Sequence, residues 1–289
     1  MSGELHAELR PRRERVKTAE LEVSSLVWGS ESDPTALLVH GNGGHARWWD
    51  PLVPWLVPGW RLVAPDLRGH GESGWAEPPR YALADFARDL EAVGDALAPG
   101  RIPLVGHSMG GRVAVAMAAE TPERVSALAV LDSRFDPIDP AFAAKYRKSN
   151  VGKREGRGYA TRAEAMAAFR FIPDEPDVDA HVVAHLASHA VCERAPGDWT
   201  FRFDRGVLSL EGDGAGDLRE RFPRIRCPMF IGAGSKSWVM PPRELEWIRS
   251  VVPEVETHVF PGAHHFLVRC PERLGPILRR FLDATNERR

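Results

Sequence analysis

The sequence predicts an α/β protein: a mostly parallel central sheet flanked by helices, interrupted once by a helical insertion. Three observations carry this expectation. Short aliphatic and β-branched runs alternate with helical patterns along the 289 residues. The later runs are continuously apolar, as expected of strands covered on both faces. The alternation then stops between about Arg134 and Arg221, where no comparable apolar run occurs, and afterwards resumes.

In chain order, strands are expected at Leu21–Trp28, Ala36–His40, Arg61–Pro65, Ile102–Val105, Val125–Leu131, Met229–Ile231 and Glu256–Phe260. Helical patterns lie between them at Leu83–Leu97, Met109–Glu120, Pro242–Ser250 and Pro271–Asp283, and Pro122 stops the second. Ahead of the first strand, Arg10–Lys17 reads as a solvated basic tail. The interruption holds helical stretches at Arg162–Phe171 and Asp179–Val191, Pro-rich joints, and the aromatics Trp199, Phe201 and Phe203. It is expected to form a helical cap over residues 134–221, inserted into a core domain of residues 1–133 and 222–289.

Composition excludes several function classes. A net charge of −2 gives no reason to expect nucleic acid or an anionic membrane as partner. Hydrophobic content of 43% and charged content of 27% are ordinary globular values. No apolar run reaches the roughly 18 residues a spanning helix needs. The first thirty residues also lack an apolar signal core, so a cytoplasmic protein is expected. Cys192, Cys227 and Cys270 are scattered and lack a C-x-x-C pair, which suggests reduced thiols rather than a disulfide frame or a zinc site.

The first chemistry lies in Gly106-His107-Ser108-Met109-Gly110, a G-x-S-x-G pattern between an apolar strand and an Ala-rich helix. Such a turn is sharp enough to strain the serine, and it exposes Oγ at a helix N-terminus that favours developing negative charge. Three further blocks stand in order along the chain: "LLVHGNGG" (Leu37–Gly44), "APDLRGHGES" (Ala64–Ser73) and "FPGAHHFLVRCPE" (Phe260–Glu272). With the serine turn, they resemble the loops of the α/β-hydrolase superfamily over roughly residues 20–285. The resemblance implies an α/β-hydrolase fold and a serine hydrolase, and it speaks less to substrate.

The resemblance also suggests roles. A tetrahedral oxyanion needs about two preorganised N–H donors. One would be the backbone N–H of Met109, and the other would come from Asn42, with Gly43 as second choice. His40 would brace that loop. Aligning "GAHHF" with the family's G-x-G-H-F places His265 at the base position, and His264, standing where a glycine is usual, is the other candidate. His107 reads as a structural hydrogen-bonder beside the pocket. His181, His185 and His189 recur four apart and mimic metal-ligand spacing, but no carboxylate-plus-cysteine cluster accompanies them, so no metal is expected.

The acid is the irregular part. In most relatives it is an Asp in the turn after the penultimate strand, where this chain has Ser235, Lys236 and Ser237. None of these is anionic at neutral pH. Asp136 and Asp139 sit at the approach to the cap, and Asp213 and Asp217 precede the Met229 strand, which makes all four poor candidates. Asp132 ends the strand that follows the nucleophile helix, at the sheet edge where open α/β sheets carry reactive groups. Haloalkane dehalogenases keep their acid at this strand end, and the spacing of 24 residues from Ser108 resembles theirs. Their nucleophile, however, is an Asp. The expected triad is therefore Ser108, His265 and Asp132, with Trp238 freed to line the pocket.

The expected activity is hydrolysis of a small or medium carboxylic ester or lactone through an acyl-enzyme, with no cofactor implied. Carbon–carbon bond hydrolysis and acyl transfer use the same triad. A non-catalytic ligand-binding pseudo-hydrolase is a further alternative.

Overall fold

The computed structural model of the chain describes residues 9–57, 59–137, 158–208 and 216–287. In chain order these form β1 (Arg12–Lys17), β2 (Glu22–Trp28), β3 (Thr35–Val39), α1 (Val53–Leu56), β4 (Arg61–Pro65), α2 (Leu83–Leu97), β5 (Ile102–His107), α3 (Met109–Glu120) and β6 (Val125–Leu131). They continue with α4 (Arg162–Ala167), α5 (Ala180–Ala190), β7 (Val191–Ala195), β8 (Asp198–Phe201), β9 (Met229–Gly234), α6 (Pro242–Val251), β10 (Glu256–Phe260), α7 (Phe266–Arg269) and α8 (Pro271–Asn286).

Eight strands form one sheet in the order β1-β2-β4-β3-β5-β6-β9-β10. The pairs from β4 through β10 are parallel, while β1 and β2 are antiparallel to their neighbours. β5 and β6 are buried along their whole length, and β3 from Ala36 onward, because helices cover both faces. On one face Leu37, Leu104, Leu128 and Val130 pack with Phe86 and Leu90 of α2, Val113 of α3 and Ile248 of α6. On the other, Leu38, Leu62, Val105 and Leu131 pack with Leu56 of α1 and with Leu274, Leu278 and Leu282 of α8. This geometry sets the parallel strands' carboxyl ends along one edge, where loops can converge.

Two expectations fail. The basic stretch at Arg10–Lys17 is not a tail: its residues 12–17 form an edge strand with a single buried side chain, Val16. Its charges suit a sheet edge, where like decoration deters pairing with other chains, and Arg13 Nη1 donates to Ser24 Oγ at 2.6 Å. The segment between β6 and β9 is not wholly helical either. The two helices are present, α4 ending at Ala167 rather than Phe171. Beyond α5, Pro196-Gly197 closes a β7–β8 hairpin. Asp139 and Asp213 lie outside the described residues.

This segment meets the core over the loops that follow β3 and β4. Gly71 N–H donates to Arg202 O at 2.9 Å and Asp204 N–H to Gly69 O at 2.7 Å. Asn42 Nδ2 donates to Val207 O at 2.8 Å. His185 of α5 pairs with Asp50 at 2.6 Å. Among the described residues, no helix is long and apolar enough to cross a membrane.

Candidate active site

The turn between β5 and α3 places Ser108 at φ 54°, ψ −121°, a strained conformation for a non-glycine residue. The flanking glycines make the turn possible. A Cβ on Gly106 would stand 2.4 Å from Gly110 O, and one on Gly110 would stand 2.1 Å from Val39 O. Backbone bonds hold the strain in place: Ser108 N–H donates to Leu131 O at 2.9 Å, and Ser133 Oγ donates to Ser108 O at 2.7 Å.

The loop between β10 and α7 brings His264, not His265, to the serine. His264 Nε2 lies 2.9 Å from Ser108 Oγ, and its Nδ1 lies 2.7 Å from Asp132 Oδ2. The expected placement of His265 is therefore corrected. Ala263 stands as the small residue before His264, and the chain needs only Pro261, Gly262 and Ala263 to turn from β10 into His264. His265 faces the other way, its ring 5.0 Å from Trp48 and 5.3 Å from both Phe171 and His107. Among the described residues, neither of its ring nitrogens has a hydrogen-bond partner.

Asp132 is fully buried at the end of β6, with φ 51°. That left-handed kink turns its carboxyl group toward β9, and three donors converge on it. Gly234 N–H reaches Oδ1 at 2.8 Å, while Ser237 Oγ at 2.5 Å and His264 Nδ1 reach Oδ2. Ser237, at the position where the family usually has its acid, thus becomes a donor to Asp132. Burial raises the Asp132 carboxyl above the ordinary carboxylate range, and the Ser237 hydroxyl and Gly234 N–H oppose that rise. Burial lowers the His264 imidazole below its ordinary value. The ring is then neutral at neutral pH, with Nδ1–H facing the carboxylate and the Nε2 lone pair facing the serine hydroxyl.

The loop after β3 is braced by His40, whose Nδ1–H donates to Gly41 O at 2.8 Å while its Nε2 accepts Leu67 N–H at 2.9 Å. Gly43 does not offer a free donor, because its N–H is bound to His70 Nε2 at 3.0 Å. Asn42 remains beside the cleft, together with Gly41, Trp48, His107 and Ile172. Met109 opens α3, so its N–H belongs to the first turn, which lacks intrahelical acceptors. His107 is buried and its Nε2 lies 3.0 Å from His264 O, a bond that fixes the histidine loop. Trp238 is not among the residues lining the cleft.

The imidazoles of His107, His264 and His265 offer nitrogens within 4.8 Å of one another, the one group of metal-ligand spacing among the described residues. Both His264 nitrogens and the Nε2 of His107 are already in hydrogen bonds, so an ion would have to displace them. The α5 histidines do have a carboxylate neighbour, Asp50; of the three only His185 pairs with it, and Arg47 Nη1 shares the same oxygen at 3.3 Å.

Glu175 is the functional-site residue that the sequence did not announce. It comes from the segment between β6 and β9 and binds the backbone on both sides of His264. Its only sequence signal is a carboxylate among prolines, in "IPDEPD".

Comparison with known proteins bears on the family and the fold. Residues 34–268 match the alpha/beta hydrolase fold family. A protein of Variovorax paradoxus (strain S110) named "Putative carbamate hydrolase RutD" is 30% identical over 240 residues, covering 83% of this chain and 87% of that protein. An esterase of Mycobacterium tuberculosis (strain ATCC 25618 / H37Rv) is 27% identical over 281 residues, covering 95% of this chain and 90% of its own. Among solved structures, E-2-(acetamidomethylene)succinate hydrolase superposes with a TM-score of 0.82 at 24% identity, over 95% of this chain and 100% of that one. A thermophilic esterase of Thermogutta terrifontis superposes with a TM-score of 0.72 at 25% identity, over 95% and 99% of the two chains. Order of motifs, sheet topology and relatives agree: the chain belongs to the α/β-hydrolase family and is a hydrolase.

Proposed function

We propose that this hydrolase cleaves a carboxylic ester or lactone by acyl transfer to Ser108. The observation that carries the reading is the continuous hydrogen-bonded chain from Ser108 Oγ through His264 to Asp132, at 2.9 and 2.7 Å. His264 Nε2 takes the serine proton as Oγ attacks the acyl carbonyl. The imidazolium that forms is held by Asp132, and the N–H groups of Met109 and Asn42 receive the oxyanion. The proton on Nε2 passes to the leaving alcohol oxygen. Water then attacks the acyl-enzyme as His264 takes one of its protons, and His264 returns that proton to Ser108 Oγ as the carboxylic acid departs.

Trp48 and Ile172 make part of the cleft wall apolar, which suits a small or medium acyl group. Residues 134–221, as the expected cap, would form the wall opposite the sheet.

A second reading keeps the same steps on a carbamate carbonyl, favoured by the relative named as a carbamate hydrolase. The test is a panel of p-nitrophenyl acetate and butyrate, aliphatic lactones and simple carbamates, with phenylmethylsulfonyl fluoride labelling. The expected result is a burst of p-nitrophenol and a label on the peptide containing Ser108. Turnover of the carbamates alone would favour the second reading. A labelled peptide lacking Ser108, or no burst and no turnover on any compound, contradicts both.

A further inference from the structure

We infer that Glu175 is a positioning residue for the base, an inference that rests on the reading of His264 given above. The Glu175 side chain is completely buried. Its Oε1 accepts the N–H of Ala263 at 2.8 Å and its Oε2 accepts the N–H of His265 at 2.7 Å. Those two amides flank His264, so one carboxyl group spans the base and holds the backbone on either side of it. The approach is close: a Cβ on Gly262 would stand 2.8 Å from Oε1. Arg269 Nε lies 3.9 Å from the same oxygen.

A buried carboxylate is costly unless donors satisfy it. Here the donors are the two amides that set the path of the histidine loop. The clip comes from a different part of the chain, 88 and 90 residues away from the amides it binds. The path of the histidine loop is therefore held by a residue that lies between β6 and β9. The alignment has little slack, because His264 must meet Ser108 and Asp132 at once, and a misplacement of about 1 Å can cost on the order of 10² in rate. Glu175 touches neither substrate nor the reacting atoms; it acts through His264.

The test compares wild type, Glu175→Gln, Glu175→Asp and His264→Ala. The readout is the second-order rate of Ser108 phosphonylation by diisopropyl fluorophosphate, normalised to the folded fraction from near-UV circular dichroism. Ester kcat and KM are measured alongside. Glu175→Gln keeps the shape but sets an NH2 group against one amide N–H. It is expected to slow phosphonylation by about 10- to 100-fold, with the loss in kcat and an unchanged KM. Glu175→Asp, which keeps the charge on a shorter arm, should fall between wild type and Gln; it also covers the case in which Gln does not fold. If folded Glu175 variants label at the wild-type rate, or lose only KM, Glu175 merely closes the segment and the inference is overturned while the triad reading stands. If His264→Ala labels as fast as wild type, both are overturned.

Discussion

The ends of β6 and β9 are neighbours in one parallel pair, with Leu131 opposite Gly232, yet they have divided their work differently from what the family pattern suggests. The β9 end carries the turn that usually holds the acid, and it offers the hydroxyl of Ser237. The β6 end carries Asp132, buried and kinked at φ 51°, with its carboxyl turned across to that same turn. The two ends meet at one oxygen, Asp132 Oδ2, which receives both Ser237 Oγ and His264 Nδ1. What an acid needs is reach to the imidazole and enough donors to remain ionised when buried. The β6 end has that reach and those donors, so the empty family position does not leave the imidazole without a carboxyl partner.

Mutations at the two ends should separate them. Asp132→Asn removes the charge that would stabilise the imidazolium and presents an amide to Nδ1. It is expected to lower ester kcat by about 10⁴-fold in a protein that still folds. Ser237→Ala removes one hydrogen bond to a charged group, worth about 1.5–3 kcal/mol. It should lower kcat by roughly 10- to 100-fold, far less than the loss at Asp132. Adding Ser237→Asp to Asp132→Asn asks whether the β9 end can still take the role. A recovery of at least about tenfold over the single Asn variant, or about 1.4 kcal/mol, is expected in steady-state turnover. No recovery would mean that the β9 turn has lost the geometry as well as the charge.

The pH profile sharpens the same comparison. His264 must be neutral to accept the serine proton, and burial holds its folded value below the ordinary 6.5. The ring therefore gains its proton only as pH falls well under that value. Burial also raises the Asp132 carboxyl to about 7, so kcat/KM is expected to fall as pH drops through about 7, where that carboxyl gains a proton, with the further loss from His264 coming only at lower pH. In Asp132→Asn, which lacks that carboxyl, a decline of the residual activity centred above 6.5 would contradict the buried, neutral base. The smallest expected effect is that of His265→Phe. Phe keeps the ring packing against Trp48 and Phe171, so kcat should stay within about threefold of wild type, under 1 kcal/mol. A loss approaching that of Asp132→Asn would return His265 to the reaction.

Much of the fold was legible because its signals are local. Helices α2 and α3 run over Leu83–Leu97 and Met109–Glu120, the limits their apolar periodicity and Pro122 indicate. The central strands read as apolar runs because both faces are covered. β1 was hidden by its charges: only Val16 is buried, so the stretch carries too little alternation to distinguish an edge strand from a tail. β7 and β8 were hidden in the same way by Glu193, Arg194 and Asp198 around Pro196-Gly197. At the site, Ser108 and the position of Asp132 follow from strand ends. The choice between His264 and His265 depends on how three loop residues turn, which a one-residue shift in alignment obscures. Glu175 had no local signal at all, since both amides it binds come from a distant loop.

In the proposed triad the carboxylate at the end of β6 serves the base while the hydroxyl at the end of β9 supports the carboxylate. The most direct measurement is the single-turnover rate of Ser108 acylation by p-nitrophenyl butyrate in Asp132→Asn and Ser237→Ala, side by side with wild type. A loss of about 10⁴-fold is expected for the first and a loss at least about tenfold smaller than that for the second. Acylation at the wild-type rate in folded Asp132→Asn, or an equal or greater loss in Ser237→Ala, would contradict this arrangement.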